Sequence, residues 1–333
     1  MTKTACFFST ESEEQIMRQQ YSVQDIRILE SLGYRVVICS RLKDIPFRCD
    51  LYFGWWAAGS ILPLIVAKLS RRPLIVVCGG NETMYYEDSV TAEKAGYLVA
   101  PWYKKLAVKI TLRFADSVLV VSKFMQNGIK SISNRATNVV HLSVCLVSFA
   151  PNTKAKEYIT TMSAYAENLK LKRFPEFLRA AAIVTREFPL QKFLLIGTKP
   201  QYGSEIFNLI NELNLSENLV FAGHVPNKKI SDFFNLSHCF VQISDTETFG
   251  LAVAEAMSCN VPVIVSSRGA LPEVAGHYGI YVDHNEPESI AAAMLQVLRA
   301  SDAGSDLNSR TWVENKFSFE IRKNHIENII RSV

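Results

Sequence analysis

The sequence predicts an α/β protein built as two doubly wound parallel sheets in tandem, and three observations carry that prediction. Short runs rich in Val, Ile, Leu and Phe recur along the whole chain, most of them followed by helix-compatible sequence. At 333 residues the chain exceeds the size at which a single core keeps growing. A polar stretch from about Ala150 to Glu157 separates a basic first part from a slightly acidic second. Residues 1–150 hold 18 Lys and Arg against 12 Asp and Glu; residues 151–333 hold 18 against 20.

In the first part, Ala5 to Ser9 reads as a strand, Glu14 to Leu32 as one long helix stopped by Gly33, and Tyr34 to Ser40 as a second strand. The first turn, residues 9–14, contains no glycine, so the G-x-G-x-x-G fingerprint is absent and a nicotinamide or flavin oxidoreductase is disfavoured. Leu51 to Gly54, Leu74 to Cys78, Ser117 to Val121 and Val139 to Leu142 complete a six-stranded set. After the fourth strand comes Gly79-Gly80-Asn81-Glu82, either a plain turn or a loop whose polar residues bind sugar hydroxyls.

Pro101 to Ala115 reads as a helix with Trp102, Leu106, Ile110 and Phe114 at successive fours and Lys105, Lys109 and Arg113 beside them. Residues 101–135 carry seven basic residues and one acid. Such a helix either packs into a core with solvated lysines or lies on an anionic membrane surface. Confinement of the excess charge to one domain selects the membrane as the expectation. Nucleic acid is not expected as a partner, since no binding motif accompanies the charge.

In the second part, Ile159 to Ser163, Phe193 to Gly197 and Leu219 to Gly223 are expected strands, and a helix runs from about residue 174 to Phe188. Cys239 to Gly276 is a strand, helix, strand unit, with strands at Cys239 to Ile243 and Val261 to Val265 and a helix from about Phe249 to Cys259. Ser266 to Gly269 then forms a turn, Glu288 to Ala300 a surface helix, and Phe319 to Arg331 a last helix.

The central unit carries the chemistry. Glu247 precedes its helix and Glu255 follows eight positions later, while Phe249, Gly250 and Leu251 open the helix. Unpaired N–H groups and a partial positive charge suit a helix start to a phosphate. Carboxylates beside a phosphate suit neutral hydroxyls, which they accept from in pairs. A ligand with hydroxyls on both sides of a phosphate is a nucleoside diphosphate sugar.

Glu247-x-Phe249-Gly250-Leu251-x-x-x-Glu255-Ala256-Met257, followed by Pro262, Gly269 and Pro272-Glu273-Val274, resembles the E-x7-E signature of the retaining, GT-B fold glycosyltransferases of family four. That resemblance implies two Rossmann-like domains facing a cleft. Residues 1–150 would bind the acceptor, with residues 318–333 packing back on them, and residues 151–317 would bind the nucleotide sugar. Glu247 would hold the donor sugar, Glu255 the ribose, the Gly250 and Leu251 amides and Lys172 the diphosphate. Gly197 and Gly223 would let the nucleotide approach, residues around His224 would hold the base, and Arg268 would add positive charge. Gly79, Gly80 and Asn81 would face the cleft.

The chain departs from the family pattern in places. Ala164 and Tyr165 stand where the family has a phosphate-gripping arginine, for which Lys170 or Arg173 are the nearby substitutes, and no histidine accompanies Gly79 to Asn81. The implied activity is metal-independent transfer of a sugar, with retention, to a glycan or lipid-linked acceptor. A catalytically degenerate nucleotide-sugar binder and an epimerase of the same architecture are the alternatives. Asp245-Thr246-Glu247 superficially resembles a metal-binding Asp-x-Asp, but the Phe-Gly-Leu helix start behind it favours a phosphate cradle. No residue qualifies as a clear general base.

Composition adds bounds. No uninterrupted apolar run approaches the roughly 18 residues of a membrane span, and the N-terminus lacks a secretory pattern. The expected place is the cytoplasm, peripheral to the inner face of the membrane. Seven cysteines without a C-x-x-C pair read as buried small hydrophobes. Six histidines without ligand spacing leave no metal or other cofactor expected.

Overall fold

A computed structural model describes residues 2–80, 83–87, 94–163, 169–300 and 308–333. The chain divides into two compact units, Met1–Ser143 with Phe319–Val333, and Val144–Ser318.

In unit 1 the sheet strands are β1 (Lys3–Phe8), β2 (Tyr34–Cys39), β3 (Leu51–Trp55) and β4 (Leu74–Cys78); an antiparallel hairpin of β5 (Tyr85–Glu87) and β6 (Lys94–Gly96) precedes β7 (Ser117–Val120) and β8 (Asn138–Val139). The six-stranded sheet is parallel throughout in the order β2-β1-β3-β4-β7-β8. β3, β4 and β7 are buried at every residue, which is why they read as continuous apolar runs instead of alternating ones. The expected last strand, Val139 to Leu142, is realised as the two residues of β8.

The single long helix expected from Glu14 to Leu32 is two helices, α1 (Glu13–Arg18) and α2 (Gln20–Ser31). Gln19 between them is extended, with φ −90° and ψ 116°, and its side chain donates to Glu11 Oε1 at 2.6 Å. A Ser12–Gln15 capping box starts α1. Helical spacing on both sides concealed the break, because one extended residue leaves the apolar pattern nearly in phase.

α3 (Ile61–Ser70) packs beside α4 (Trp102–Phe114), and α5 is Lys123–Lys130. The buried residues of α4 are Val108, Thr111 and Leu112. The expected apolar stripe faces the other way: Trp102, Leu106 and Phe114 are 75%, 50% and 51% exposed. The helix packs into the unit with exposed lysines, as the core-packed reading has it, but through the face opposite the stripe. Arg135, one of the seven basic residues, is a structural cap, donating to the Ala115 and Asp116 carbonyls at 2.8 and 3.0 Å.

The last helix, Phe319–Ser332, belongs to unit 1. Its Arg322 is buried and forked onto Asp25 of α2, with Nε to Oδ1 at 2.6 Å and Nη2 to Oδ2 at 2.8 Å. Nη1 reaches the Val140 and His141 carbonyls, and Trp55 Nε1 donates to Asp25 Oδ2 at 3.0 Å.

Unit 2 contains β9 (Tyr158–Ser163), β10 (Lys192–Gly197), β11 (Leu219–Gly223), β12 (Ser237–Gln242), β13 (Val263–Ser266) and β14 (Gly279–Val282), all parallel in the order β11-β10-β9-β12-β13-β14. Its helices are α6 (Phe174–Val184), α7 (Glu205–Glu212), α8 (Asn227–Asn235), α9 (Leu251–Ser258), α10 (Leu271–Ala275), α11 (Pro287–Ala300) and α12 (Ser309–Phe317). In its core Phe174 stacks on Phe177, which meets Phe193 edge-on. With two parallel six-stranded sheets and helical crossovers, the expected α/β fold class holds.

Candidate functional site

Because every strand of unit 2 is parallel, all six present their carboxyl ends along one edge. The strand order reverses between β9 and β12, and an open α/β sheet opens a crevice at such a switch point. Lys172 lies after β9 and Glu247 after β12, so the two flank it. Their side chains meet: Lys172 Nζ is 2.5 Å from Glu247 Oε2, with 22% and 19% of each side chain exposed. Gln242, the last residue of β12, places its Nε2 3.5 Å from the same oxygen.

The Glu247 backbone is held just as firmly. Ala270 N donates to Glu247 O at 2.8 Å. Gly269 has φ +59°, and a Cβ there would lie 2.5 Å from both Glu247 N and O. Only glycine lets these loops touch. Gly269→Ala is expected to cost roughly 1–2 kcal/mol in stability from backbone handedness alone. Thermal melts of the two proteins read this cost.

α9 begins at Leu251, two residues later than the sequence suggests, after Gly250 at φ +97°. Gly250, its N-cap residue, offers no side-chain cap, and a helix start of that kind suits an anion. The Phe249 ring is buried edge-on against Phe317, centroids 5.4 Å apart, so a ligand at the helix start meets its backbone and not its ring.

Glu255 lies on the second turn of α9, only 6% exposed. Burial pushes its carboxyl up to about 8. The neutral acid is therefore the favoured form in the folded protein, and an ionised Glu255 in the unfolded chain pulls the equilibrium toward unfolding as pH rises from about 4.5 to about 8. Glu255→Gln is expected to match the wild type near pH 4. It should exceed it by roughly 5 kcal/mol near pH 9, as measured by chemical denaturation at the two pH values.

The charges expected to stand in for the missing arginine are already engaged. Arg173, at φ 54°, donates from Nε to Asp245 Oδ1 at 2.7 Å. His284 Nε2 lies 3.0 Å from the same oxygen. Lys170 pairs with Glu205 at 2.6 Å on the open surface. Asp245 N also donates to the Leu171 carbonyl at 3.1 Å, so this cluster ties the Lys172 and Glu247 loops together. Arg268 sits exposed on the turn beside Gly269.

Gly197 (φ +125°) and Gly223 (φ +66°) end β10 and β11. His224 Nε2 is 3.3 Å from Thr198 Oγ1, which brings these two loops into contact. Gly79 and Gly80 belong to unit 1, where a Cβ would meet the Trp55 ring at 2.7 Å and the Trp56 ring at 2.3 Å. Asn81, with Glu82, Ala164 and Tyr165, lies outside the described residues.

Sequence reading did not find Gln242, His284 or the Asp245–Arg173 joint. A glutamine closing a buried strand was the available signal for the first; His284 carries none, since its partner is 39 positions away. Also unforeseen is a cavity of about 830 Å³ in unit 1, at the carboxyl ends of β1, β3 and β4.

The family model for glycosyl transferases group 1 matches residues 148–312. O-antigen chain mannosyltransferase B of Escherichia coli is 26% identical over 210 residues, which are 59% of this chain and 55% of that protein, so the match spans little more than half of that relative. The GDP-mannose-dependent alpha-(1-6)-phosphatidylinositol monomannoside mannosyltransferase of Mycolicibacterium smegmatis is 22% identical, covering 87% of this chain and 82% of its own. Among solved structures, Anabaena HepE in complex with UDP superposes with a TM-score of 0.78 at 16% identity, over 99% of this chain and all of that one. The glycosyl transferases group 1 model covers nearly the whole of unit 2 and just under half of the chain, and the chain as a whole has the GT-B fold.

Proposed function

We propose that the chain transfers a sugar from a nucleoside diphosphate sugar to an acceptor hydroxyl with retention of anomeric configuration. The carrying observation is the Lys172–Glu247 pair at the switch point, beside an uncapped helix start. Each charge satisfies the other. When a donor enters, its diphosphate replaces Glu247 as the partner of Lys172, and the freed carboxylate accepts from sugar hydroxyls. The Gly250 and Leu251 amides share the diphosphate charge, and Glu255 takes the ribose. Lys172 and the helix start supply the positive potential that the leaving group needs, so the reaction proceeds without a metal. Gly197, Gly223 and His224 line the nucleotide side, and Arg268 adds charge near the phosphates.

The relatives named as mannosyltransferases make GDP-mannose the first donor to test and UDP-sugars the second. The acceptor is a glycan or lipid-linked glycan in polysaccharide or glycolipid synthesis. A panel of these donors, with product configuration read by NMR, tests the reading: inversion, or no turnover with any donor, would sink it. The commitment of Arg173 to Asp245 supports a second reading, a nucleotide-sugar binder without turnover, whose signature is thermal stabilisation by GDP or UDP with no product.

Among the described residues no helix is long and apolar enough to cross a membrane. The outward stripe of α4, with Lys109 and Arg113 beside it, instead fits peripheral docking on anionic lipid. Vesicles containing phosphatidylglycerol are expected to pellet the protein at low salt and to release most of it at about 0.5 M salt, where screening is nearly complete. Equal pelleting with neutral vesicles would remove this part of the proposal.

A further inference from the structure

We infer that Asp245 is a positioning residue: with Arg173 and His284 it locks the loops after β9 and β12, so that Lys172 and Glu247 keep their places when a donor parts them. This rests on the sugar-transfer reading and adds a device to that same site. Asp245 holds both chain neighbours of Lys172. Its N–H donates to the Leu171 carbonyl at 3.1 Å, and its Oδ1 accepts from Arg173 Nε at 2.7 Å, with Nη2 at the same distance. Glu247 follows two positions later, its carbonyl held by Ala270 N. One short bridge between two paired strands therefore sets where Lys172 and Glu247 stand. His284, in the loop after β14, donates from Nε2 to the same Oδ1 at 3.0 Å, since a carboxylate oxygen only accepts.

The backbone of Arg173 shows that its side chain is needed there. At φ +54° and ψ 39° it caps α6 in a conformation that residues with side chains rarely adopt. Its N–H donates to Lys170 O at 2.9 Å, and its carbonyl accepts from Phe177 N at 3.0 Å. Glycine would fill that backbone without strain. What glycine lacks is the guanidinium, which meets Asp245 on one side and Glu176, 3.8 Å from Nη1, on the other.

The Lys172–Glu247 pair is the contact that a donor breaks. Once a diphosphate draws Lys172 to itself, that pair no longer ties the loops. The neighbouring lock lies deeper, with Asp245 and His284 side chains 14% and 7% exposed against 22% and 19% for Lys172 and Glu247. Two donors on one oxygen also compensate a carboxylate that would otherwise repel the entering phosphates.

Asp245→Asn keeps the side-chain shape and Arg173→Gly keeps the backbone, so both proteins are expected to fold. Labelling of Lys172 by limiting acetic anhydride, read by peptide mass spectrometry, reports the pair without any turnover; Glu247→Gln gives the value for the unpaired lysine. Labelling should rise in both variants by about threefold or more, toward that value. In donor assays kcat should fall by about 10-fold or more in each. KM should stay within about threefold, because the helix start and Glu255 are untouched. The double variant should be no slower than the worse single, as for groups acting as a unit. A guanidinium held in reserve for phosphate predicts opposite signs, Asp245→Asn raising kcat by freeing it and Arg173→Gly lowering it. That result, unchanged labelling, or wild-type kcat in both variants overturns the inference. Raised labelling in a protein that turns over no donor defeats the sugar-transfer reading and leaves the Asp245 lock standing.

Discussion

Lys172→Ala and Glu247→Ala are each expected to lower kcat/KM for sugar transfer by about 10²–10³-fold, the loss that follows removal of one preorganised charge contact to a developing anion. On the proposed reaction Lys172 should act chiefly on kcat, because the diphosphate charge it would meet grows as the glycosidic bond breaks. Glu247 should act on both kcat and KM, since its proposed sugar contact would exist in the bound donor as well. The double variant should fall little below the worse single one, because the two groups share one contact and act as a unit. Stability is the control: a partly exposed pair contributes on the order of 1 kcal/mol or less, so both variants remain folded. Wild-type rates in both would refute the site.

The second large effect concerns stability. Arg322→Ala is expected to destabilise unit 1 by about 3–5 kcal/mol, since it strands Asp25 as an uncompensated charge in the core. Asp25→Ala should cost a similar amount by stranding the guanidinium. Pairing Asp25→Leu with Arg322→Met should recover most of the loss, because replacing both partners with apolar side chains removes the desolvation penalty as well. Denaturant midpoints of the four proteins measure this directly. A double variant no more stable than the singles would show that the carbonyl contacts of Arg322, not the ion pair, hold the last helix.

The fold was legible because its signals are local. Leu74 to Cys78 appears in the structure with the bounds its apolar run suggests, and Gly33 stops α2 with φ +87°. The central unit was legible too: Glu247, Gly250 and Glu255 stand before, at and within one helix, as their spacing implies. Missed features depend on partners far away in sequence. Periodicity reports that one face of α4 is apolar but not which way it points. The break at Gln19 needs Glu11, and the state of Arg173 needs Asp245, 72 positions on.

The order of strands and helices, the division of charge and the acidic register around Glu247 are properties of the chain itself, because they arise from residues within a few positions of one another. The tertiary structure decided what those residues can do. It sank the Phe249 ring into the core, protonated Glu255 by desolvation, neutralised Arg173 and pressed Gly269 onto the Glu247 backbone. Burial, charge state and contact are set by whichever groups the fold brings alongside, and those groups come from other strands.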